Sequence, residues 1–185
     1  MKGKMVLLVA VLVLSLGLVG TPASWANSLT FQNVTFEINS VNANTFSLSI
    51  NNALNATGDW AGAVSLSNFS LKDIGTISGV SLTGWSVSSL ELNAGGCEGG
   101  SSGGSCFSKS PALPLTNSLT FNINYTGGTL DLTAPHLKVR FLDAEGNKQG
   151  SLLSQTVPAP EPSSLMLLGG VLAGVGIWRR KAIQI

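Results

Sequence analysis

Apolar and polar residues alternate one by one over most of the central part of the chain. The clearest run includes Leu119, Phe121 and Ile123, which are separated by polar residues, and runs 46–50 and 137–141 repeat the pattern. A period of two places successive side chains on opposite faces of a β-strand, so each run predicts a strand with one buried face. The sequence therefore predicts an all-β fold made of antiparallel sheets.

The alternation changes parity by one residue in three places. The shifts fall between residues 31 and 34, 66 and 69, and 87 and 90. A shift of one residue turns every later side chain to the other face unless a β-bulge absorbs it. Long strands that bulge or bend midway are typical of two packed sheets, so we predict an antiparallel β-sandwich, similar to a jelly roll, for residues 27–156.

The N-terminal segment has the order of a secretory signal peptide. Lys2 and Lys4 precede an uncharged run over residues 5–19 that is apolar except for Ser15, and small residues follow it. The alternative is an uncleaved N-terminal anchor, although the run is short for a membrane-spanning helix. The pattern predicts export across a membrane.

Small residues mark the expected cleavage site of this signal. Ser24 and Ala26 supply the small side chains that such sites need. We therefore predict that residues 1–26 are the signal peptide and that the chain is cut between Ala26 and Asn27.

The charge of the exported domain differs from that of the whole chain, which is +1. Half of the basic residues lie in the two terminal segments. Residues 27–156 carry eight acidic and five basic residues, a net charge of −3. A mildly acidic domain has little electrostatic attraction for a phosphate backbone, so we expect no nucleic-acid partner.

Two cysteines, Cys97 and Cys106, bracket a segment that consists mostly of Gly and Ser. In an exported chain, two cysteines at the ends of a flexible segment are expected to oxidise, which predicts a structural disulfide that closes an exposed hairpin loop. A zinc site would need His136 and a carboxylate, and their spacing does not support one. We expect no metal site and no cofactor.

The sequence offers few groups for catalysis. His136 is the single histidine, and it stands at the start of a predicted strand. Serine is a weak nucleophile without an activating base, and the carboxylates are too scattered for one pair to stand out as a glycosidase pair. We therefore expect that the domain is not an enzyme.

Two tryptophans are candidate glycan contacts, because an exposed aromatic face can stack on a sugar. Trp60 follows Gly58 and Asp59 in a predicted loop, and Trp85 opens a predicted strand. The alternative for both is a packing role in the core.

The C-terminal segment begins with a proline-rich spacer over residues 157–164, which contains Pro160, Glu161 and Pro162. Three prolines in five residues remove backbone donors and favour extended backbone. The spacer is therefore expected to stay open to a processing enzyme.

An uncharged segment over residues 165–178 follows the spacer. As a helix it would be about 21 Å long, against about 30 Å of hydrocarbon, and flanking residues could cover the difference. We predict a transmembrane helix here. Arg179, Arg180 and Lys181 form the expected stop-transfer cluster, which places residues 179–185 in the cytoplasm.

The order of Pro160, Glu161 and Pro162, a Gly-rich apolar segment and a terminal Arg-Arg-Lys resembles the PEP-CTERM domain, also called the ice-binding protein C-terminal domain. The four residues 182–185 after the basic cluster depart from the usual pattern. The second name alone points to ice binding, and the sequence has no regular Thr-x-Thr ladder.

The resemblance implies a Gram-negative bacterium that makes exopolysaccharide. It implies a precursor anchored in the inner membrane that faces the periplasm, and an exosortase that recognises the proline motif after the export machinery has delivered the chain. The domain would then reach the cell surface or the extracellular matrix. We expect a noncatalytic structural protein of a biofilm matrix, with exopolysaccharide as a further partner; the alternative is a surface carbohydrate-binding module that uses Trp60 or Trp85.

Overall fold

The computed structural model describes residues 26–100 and 104–159, which form an antiparallel β-sandwich. This confirms the predicted all-β fold of two packed sheets. The predicted signal peptide up to residue 25, most of the spacer, the predicted transmembrane helix and the basic tail lie outside the described residues; Ala26, the last residue of the predicted signal peptide, begins β1. Within those residues, no helix is long and apolar enough to cross a membrane. The strands are β1 (Ala26–Phe31), β2 (Val34–Asn42), β3 (Thr45–Asn51), β4 (Ser65–Lys72), β5 (Ser86–Ser88), β6 (Gly104–Pro114), β7 (Ser118–Asn124), β8 (His136–Leu142) and β9 (Leu153–Thr156).

The strands form two sheets in which every neighbouring pair is antiparallel. Sheet A has the order β1-β2-β3-β7, and sheet B has the order β5-β6-β4-β8-β9. The connections after β3, β6 and β7 pass from one sheet to the other. The three alternating runs that were clearest in the sequence become β3, β7 and β8, so the period of two predicted these strands correctly.

The core lies between the two sheets and is rich in aromatic side chains. Phe36 of sheet A and Phe69 of sheet B are fully buried. The ring of Phe69 stacks on Phe107 at 4.6 Å and meets Phe121 of sheet A at 5.1 Å. These ring contacts join the two sheets and fix how they pack.

The three parity shifts have three different structural causes. The first is a two-residue hairpin turn at Gln32 and Asn33, whose φ angles of 48° and 66° match a type I′ turn. The second is a β-bulge between Leu66 and Asn68, where the register of β4 shifts against both neighbouring strands. At the third, the short strand β5 ends at Ser88 and the chain leaves the sheet. The interpretation as bulged long strands is therefore correct only for the second shift.

Two glycines allow the loops between strands to pack backbone against backbone. A Cβ on Gly75 would lie 2.1 Å from the carbonyl oxygen of Thr129, and one on Gly128 would lie 2.0 Å from that of Thr76. Both glycines also have positive φ angles, of 84° and 82°. Any larger residue would push these segments apart.

Candidate functional site

Trp60 lies in the core and not on the surface. It is fully buried, and its ring packs edge to face against Phe36 of sheet A and Phe141 of sheet B. Its Nε1 donates to the carbonyl oxygen of Ser151 at 2.9 Å. The prediction of a glycan contact at Trp60 is therefore wrong, because the ring is not accessible to a ligand. The 3₁₀ turn at Gly58–Trp60 directs the ring inward, and nothing in the sequence indicates this.

Trp85 is partly buried at the rim of the core. Its ring meets Phe69 at 5.2 Å and Phe121 at 5.4 Å, edge to face in both cases. These contacts support the packing alternative for most of the ring. A glycan contact through the exposed remainder stays a hypothesis.

The predicted disulfide between Cys97 and Cys106 is present, but it does not close a simple exposed hairpin loop. Cys106 is buried on β6, and Asn68 of β4 donates to the sulfur of Cys97 at 3.7 Å. The disulfide therefore holds residues 89–100 against the outer face of sheet B. We call this segment the flap.

An ion cluster holds the flap to the sheet at a second point. Glu91 accepts from Lys138 Nζ at 2.5 Å and lies 3.5 Å from Lys72 Nζ. The two lysines come from the adjacent strands β8 and β4. Leu92, next to the acid, is buried and its carbonyl accepts from Lys138 at 3.5 Å. The flap thus covers polar side chains that the strand pattern alone would place in solvent, such as Ser70 of β4.

Two further polar side chains lie at opposite ends of β8: His136 begins the strand and Asp143 directly follows it. The ring nitrogen Nε2 of His136 lies 3.0 Å from Ser154 Oγ, at the β8–β9 edge of sheet B. Asp143 Oδ1 accepts from the backbone N–H of Asn147 at 2.7 Å in the turn that follows β8. Within residues 26–100 and 104–159, no three His, Cys, Asp or Glu side chains are grouped to hold a metal ion.

Both ends of the described chain leave the sandwich at the same end. Near the N-terminus, Asn27 is buried and its Nδ2 donates to the carbonyl oxygen of Leu132. Near the C-terminus, the backbone N–H of Val157 donates to the carbonyl oxygen of Pro135 at 2.8 Å. Leu132 and Pro135 belong to one connection, between β7 and β8. The two segments predicted to carry the export and sorting signals therefore start from neighbouring points.

A groove of about 610 Å³ lies at this same end. The Tyr125 hydroxyl is engaged there, because it donates to the carbonyl oxygen of Ala43 at 2.6 Å. The backbone N–H and the hydroxyl of Thr133 donate to the Asp131 carboxylate and lower its pKa below the ordinary 3.8. The groove is lined by Ser40, Asn42, Ala43, Tyr125, Leu130 and Leu132, among others.

The outer face of sheet A is a grid of polar side chains. Residues that are paired across neighbouring strands form rows on this face, and Glu37 is the one charged residue in them. The oxygens of Thr30 and Thr35 lie 2.9 Å apart, and Ser118 Oγ donates to Asn51 Oδ1 at 2.7 Å. The register forms rows of Thr30, Thr35, Asn51 and Ser118; of Ser28, Glu37, Ser49 and Thr120; of Asn39, Ser47 and Asn122; and of Thr45 with Asn124.

Comparison with solved structures finds two proteins with low similarity. One is an uncharacterized protein from Nocardia farcinica with an immunoglobulin-like fold, at 7% identity and a TM-score of 0.37, covering 69% of this chain and 94% of that one. The other is a cohesin module from a Clostridium perfringens family 33 glycoside hydrolase, at 12% identity and a TM-score of 0.33, covering 74% and 97%. TM-scores below 0.5 support no statement about the function of this chain.

Among curated proteins, none matches this sequence at a significant level. Among protein families, the PEP-CTERM protein-sorting motif matches residues 158–181. The matched region contains Pro160, Glu161 and Pro162, the apolar segment, and the basic residues through Lys181. This confirms the resemblance seen in the sequence: the chain carries a PEP-CTERM protein-sorting motif over residues 158–181.

Proposed function

We propose that this chain is the precursor of an exported protein that an exosortase recognises at Pro160, Glu161 and Pro162. The enzyme cuts near this motif and sorts the β-sandwich to the cell surface or the exopolysaccharide matrix. The observation that carries the proposal is the match of residues 158–181 to the sorting motif.

The positions of the two chain ends support this route. A signal peptide before Asn27 and a membrane helix after residue 164 would both start from one end of the sandwich, so both could enter the same membrane. Residues 158–164 can span at most about 25 Å when fully extended. In the precursor, the end that holds Leu132 and Pro135 would therefore face the inner membrane, with the rest of the domain in the periplasm.

We further propose that the delivered domain is a noncatalytic structural protein of the surface or matrix. A disulfide between Cys97 and Cys106 suits an oxidising compartment outside the cytoplasm. Its polar surface, rich in Ser, Thr and Asn, hydrogen-bonds water while offering few charges. Aromatic contacts join the two sheets, and the disulfide and the ion cluster hold the flap to sheet B. These contacts support a stably folded domain, as a matrix component requires.

Cell fractionation tests the sorting proposal. The precursor is expressed with and without its exosortase, alongside a Pro160→Ala/Glu161→Ala variant and a Gln155→Ala control, an exposed position that precedes the matched residues 158–181. We expect wild type and control to reach the surface or medium only when the exosortase is present, and the double variant to stay in the inner membrane. Equal partitioning of wild type and double variant would show that the motif is not used.

Carbohydrate binding is the second candidate function. Trp60 cannot serve it, because its ring is buried. The observation that favours it is the outer face of sheet A, where rows of hydrogen-bonding side chains, all but Glu37 uncharged, are exposed on the edge strands β1 and β7 and half-buried or, at Ser47, buried on β2 and β3.

A further inference from the structure

The outer face of sheet A is open along both of its edge strands. Ser28 and Thr30 on β1 are exposed, as are Thr120 and Asn122 on β7. Neighbouring strands lie about 4.8 Å apart, and side chains on one face of a strand repeat every ~6.8 Å. The rows therefore form a shallow, regularly spaced surface. A ligand that contacts several rows at once has to be long and extended.

The chemistry of this face disfavours charged and apolar partners. Glu37 is its one charged residue, and no Lys or Arg lies in the rows of the described strands, so nothing in them attracts an anionic polymer. The rows also lack the aromatic and Arg side chains that anchor protein interfaces. Hydroxyl and amide groups both donate and accept hydrogen bonds, as sugar hydroxyls do. A neutral, polyhydroxylated partner is the complement in charge and in hydrogen bonding.

Hydrogen bonds within the rows hold the side chains in place before any ligand arrives. Thr45 Oγ1 donates to Asn124 Oδ1 at 2.8 Å, and the oxygens of Ser49 and Thr120 lie 3.2 Å apart. Groups that are already ordered lose less entropy on binding. Because one hydrogen bond to a ligand contributes little net free energy in water, useful affinity requires many such contacts along one chain.

We propose that the outer face of sheet A binds a neutral polysaccharide chain that lies across the rows of Ser, Thr and Asn side chains. The inference rests on the proposed matrix function and names the class of polymer that the domain contacts there. Ser49 and Thr120, on the adjacent strands β3 and β7, sit near the middle and the edge of this surface.

Affinity electrophoresis tests the proposal on the full-length protein in a neutral detergent. Native gels contain dextran, galactomannan or hydroxyethylcellulose as neutral polymers, and alginate as an acidic one. The test variant is Ser49→Glu/Thr120→Glu, which adds charge and bulk to the face. The matched control is Ser86→Glu/Gln155→Glu, which makes the same charge change on exposed strand positions of sheet B.

We expect at least one neutral polymer to retard the wild type and the control, with alginate having no effect. The test variant should bind that polymer at least tenfold more weakly. A Ser49→Ala/Thr120→Val variant leaves the charge of the face unchanged but removes two hydroxyls, and it should show an intermediate loss. Matching circular dichroism spectra would establish that the variants fold.

Three results would overturn the proposal. One is that no neutral polymer retards the wild type, and another is that retardation occurs only in alginate. The third is equal retardation of the test variant and the wild type. If gel filtration instead shows a dimer that Ser49→Glu/Thr120→Glu dissociates, the face is an interface between copies of the chain.

The sorting test fails or succeeds independently of this one. Ser49 and Thr120 lie far from the sorting motif in the sequence, so their variants should still leave the inner membrane only when the exosortase is present, even if polysaccharide binding is lost. Loss of sorting in the Pro160→Ala/Glu161→Ala variant should likewise leave retardation unchanged.

Discussion

The outer faces of the two sheets differ in how their polar side chains are stabilised: uncharged groups bond to one another on sheet A, and charged groups form ion pairs on sheet B. On sheet A, side chains such as Thr30 and Thr35 bond to one another and stay open to water. On sheet B, Lys72 and Lys138 are mostly covered, with 26% and 17% of their side chains exposed, and Glu91 of the flap forms an ion pair with each of them. Hydroxyl and amide groups can satisfy each other across strands, whereas two neighbouring cations that lose water need an acid.

The difference also concerns how each surface is built. Three strands of sheet A, β1 to β3, follow one another along the chain, so their outer face is set by local hairpins. The cover on sheet B depends on contacts between distant residues, such as Cys97 with Cys106 and Glu91 with Lys138. We therefore expect single substitutions to disturb the surface of sheet B more than that of sheet A. A substitution that disrupts the core between the sheets should destabilise both.

The largest effect is expected at Trp60, which contacts both sheets. Trp60→Ala should lower the free energy of unfolding by about 3–5 kcal/mol, because it removes the ring contacts to Phe36 and Phe141 and the hydrogen bond to Ser151. Urea unfolding measures the loss. Trp60→Phe, which keeps an aromatic ring, should lose much less, and a loss below about 1 kcal/mol for Trp60→Ala would contradict a core role.

Removal of the disulfide should act mainly on the covered face. The loop from Cys97 to Cys106 has a sequence separation of 9, and chain-entropy arithmetic gives about 2.5–3 kcal/mol for its closure. The Cys97→Ser/Cys106→Ser variant should lose about this much stability in urea. Hydrogen exchange should rise more in the flap and along the outer face of sheet B than in β2 and β3, whose protection should fall only by the global loss of stability. Equal loss of protection in both sheets would contradict a local role for the bridge.

Glu91→Gln tests the ion cluster under the flap. The substitution leaves Lys72 and Lys138 partly covered without a carboxylate between them, so we expect a loss of about 1–2 kcal/mol in urea unfolding. Glu98→Gln makes the same change on an exposed flap residue and should cost less than about 0.5 kcal/mol. Equal losses for the two variants would show that the cluster does not hold the flap.

Ser70→Ala gives the smallest expected effect, with the opposite sign. Ser70 is 2% exposed, and its Oγ has no hydrogen-bond partner among the described residues. Removal of a buried, unpaired hydroxyl should stabilise the fold by up to about 1 kcal/mol. Ser28→Ala on the open face of sheet A should change stability by less than about 0.5 kcal/mol. A clear loss for Ser70→Ala would mean that the hydroxyl is paired in solution.

Local patterns in the sequence were enough to predict several of the strands and the disulfide, although no pattern indicated β6 or β9. The alternation around Phe121 and Val139 predicted β7 and β8, because the buried face of a strand repeats every second residue. The cysteines at both ends of a Gly/Ser segment predicted the pair that forms. The sorting motif was also visible, since Pro160 to Pro162 and the basic cluster stand in a fixed order along the chain.

Features that depend on distant contacts could not be predicted in the same way. No local signal places Glu91 between Lys72 and Lys138, because the three residues meet only after β4 and β8 have paired. The burial of Trp60 depends on the turn that directs it inward. The polar positions that alternate with core residues in β2, β3 and β7 are nearly all Ser, Thr or Asn, and this composition can be read from the sequence. Which of these residues lie side by side in a row depends on the register of strand pairing, which only the structure gives.

The intact mass of the protein collected from the cell surface or medium tests directly whether this chain is a sorted precursor. We expect a single polypeptide that begins at Asn27, contains the disulfide, and ends near Pro160 to Pro162, with any attached group adding to that mass. A surface-located protein whose mass still includes residues 165–185 would contradict it.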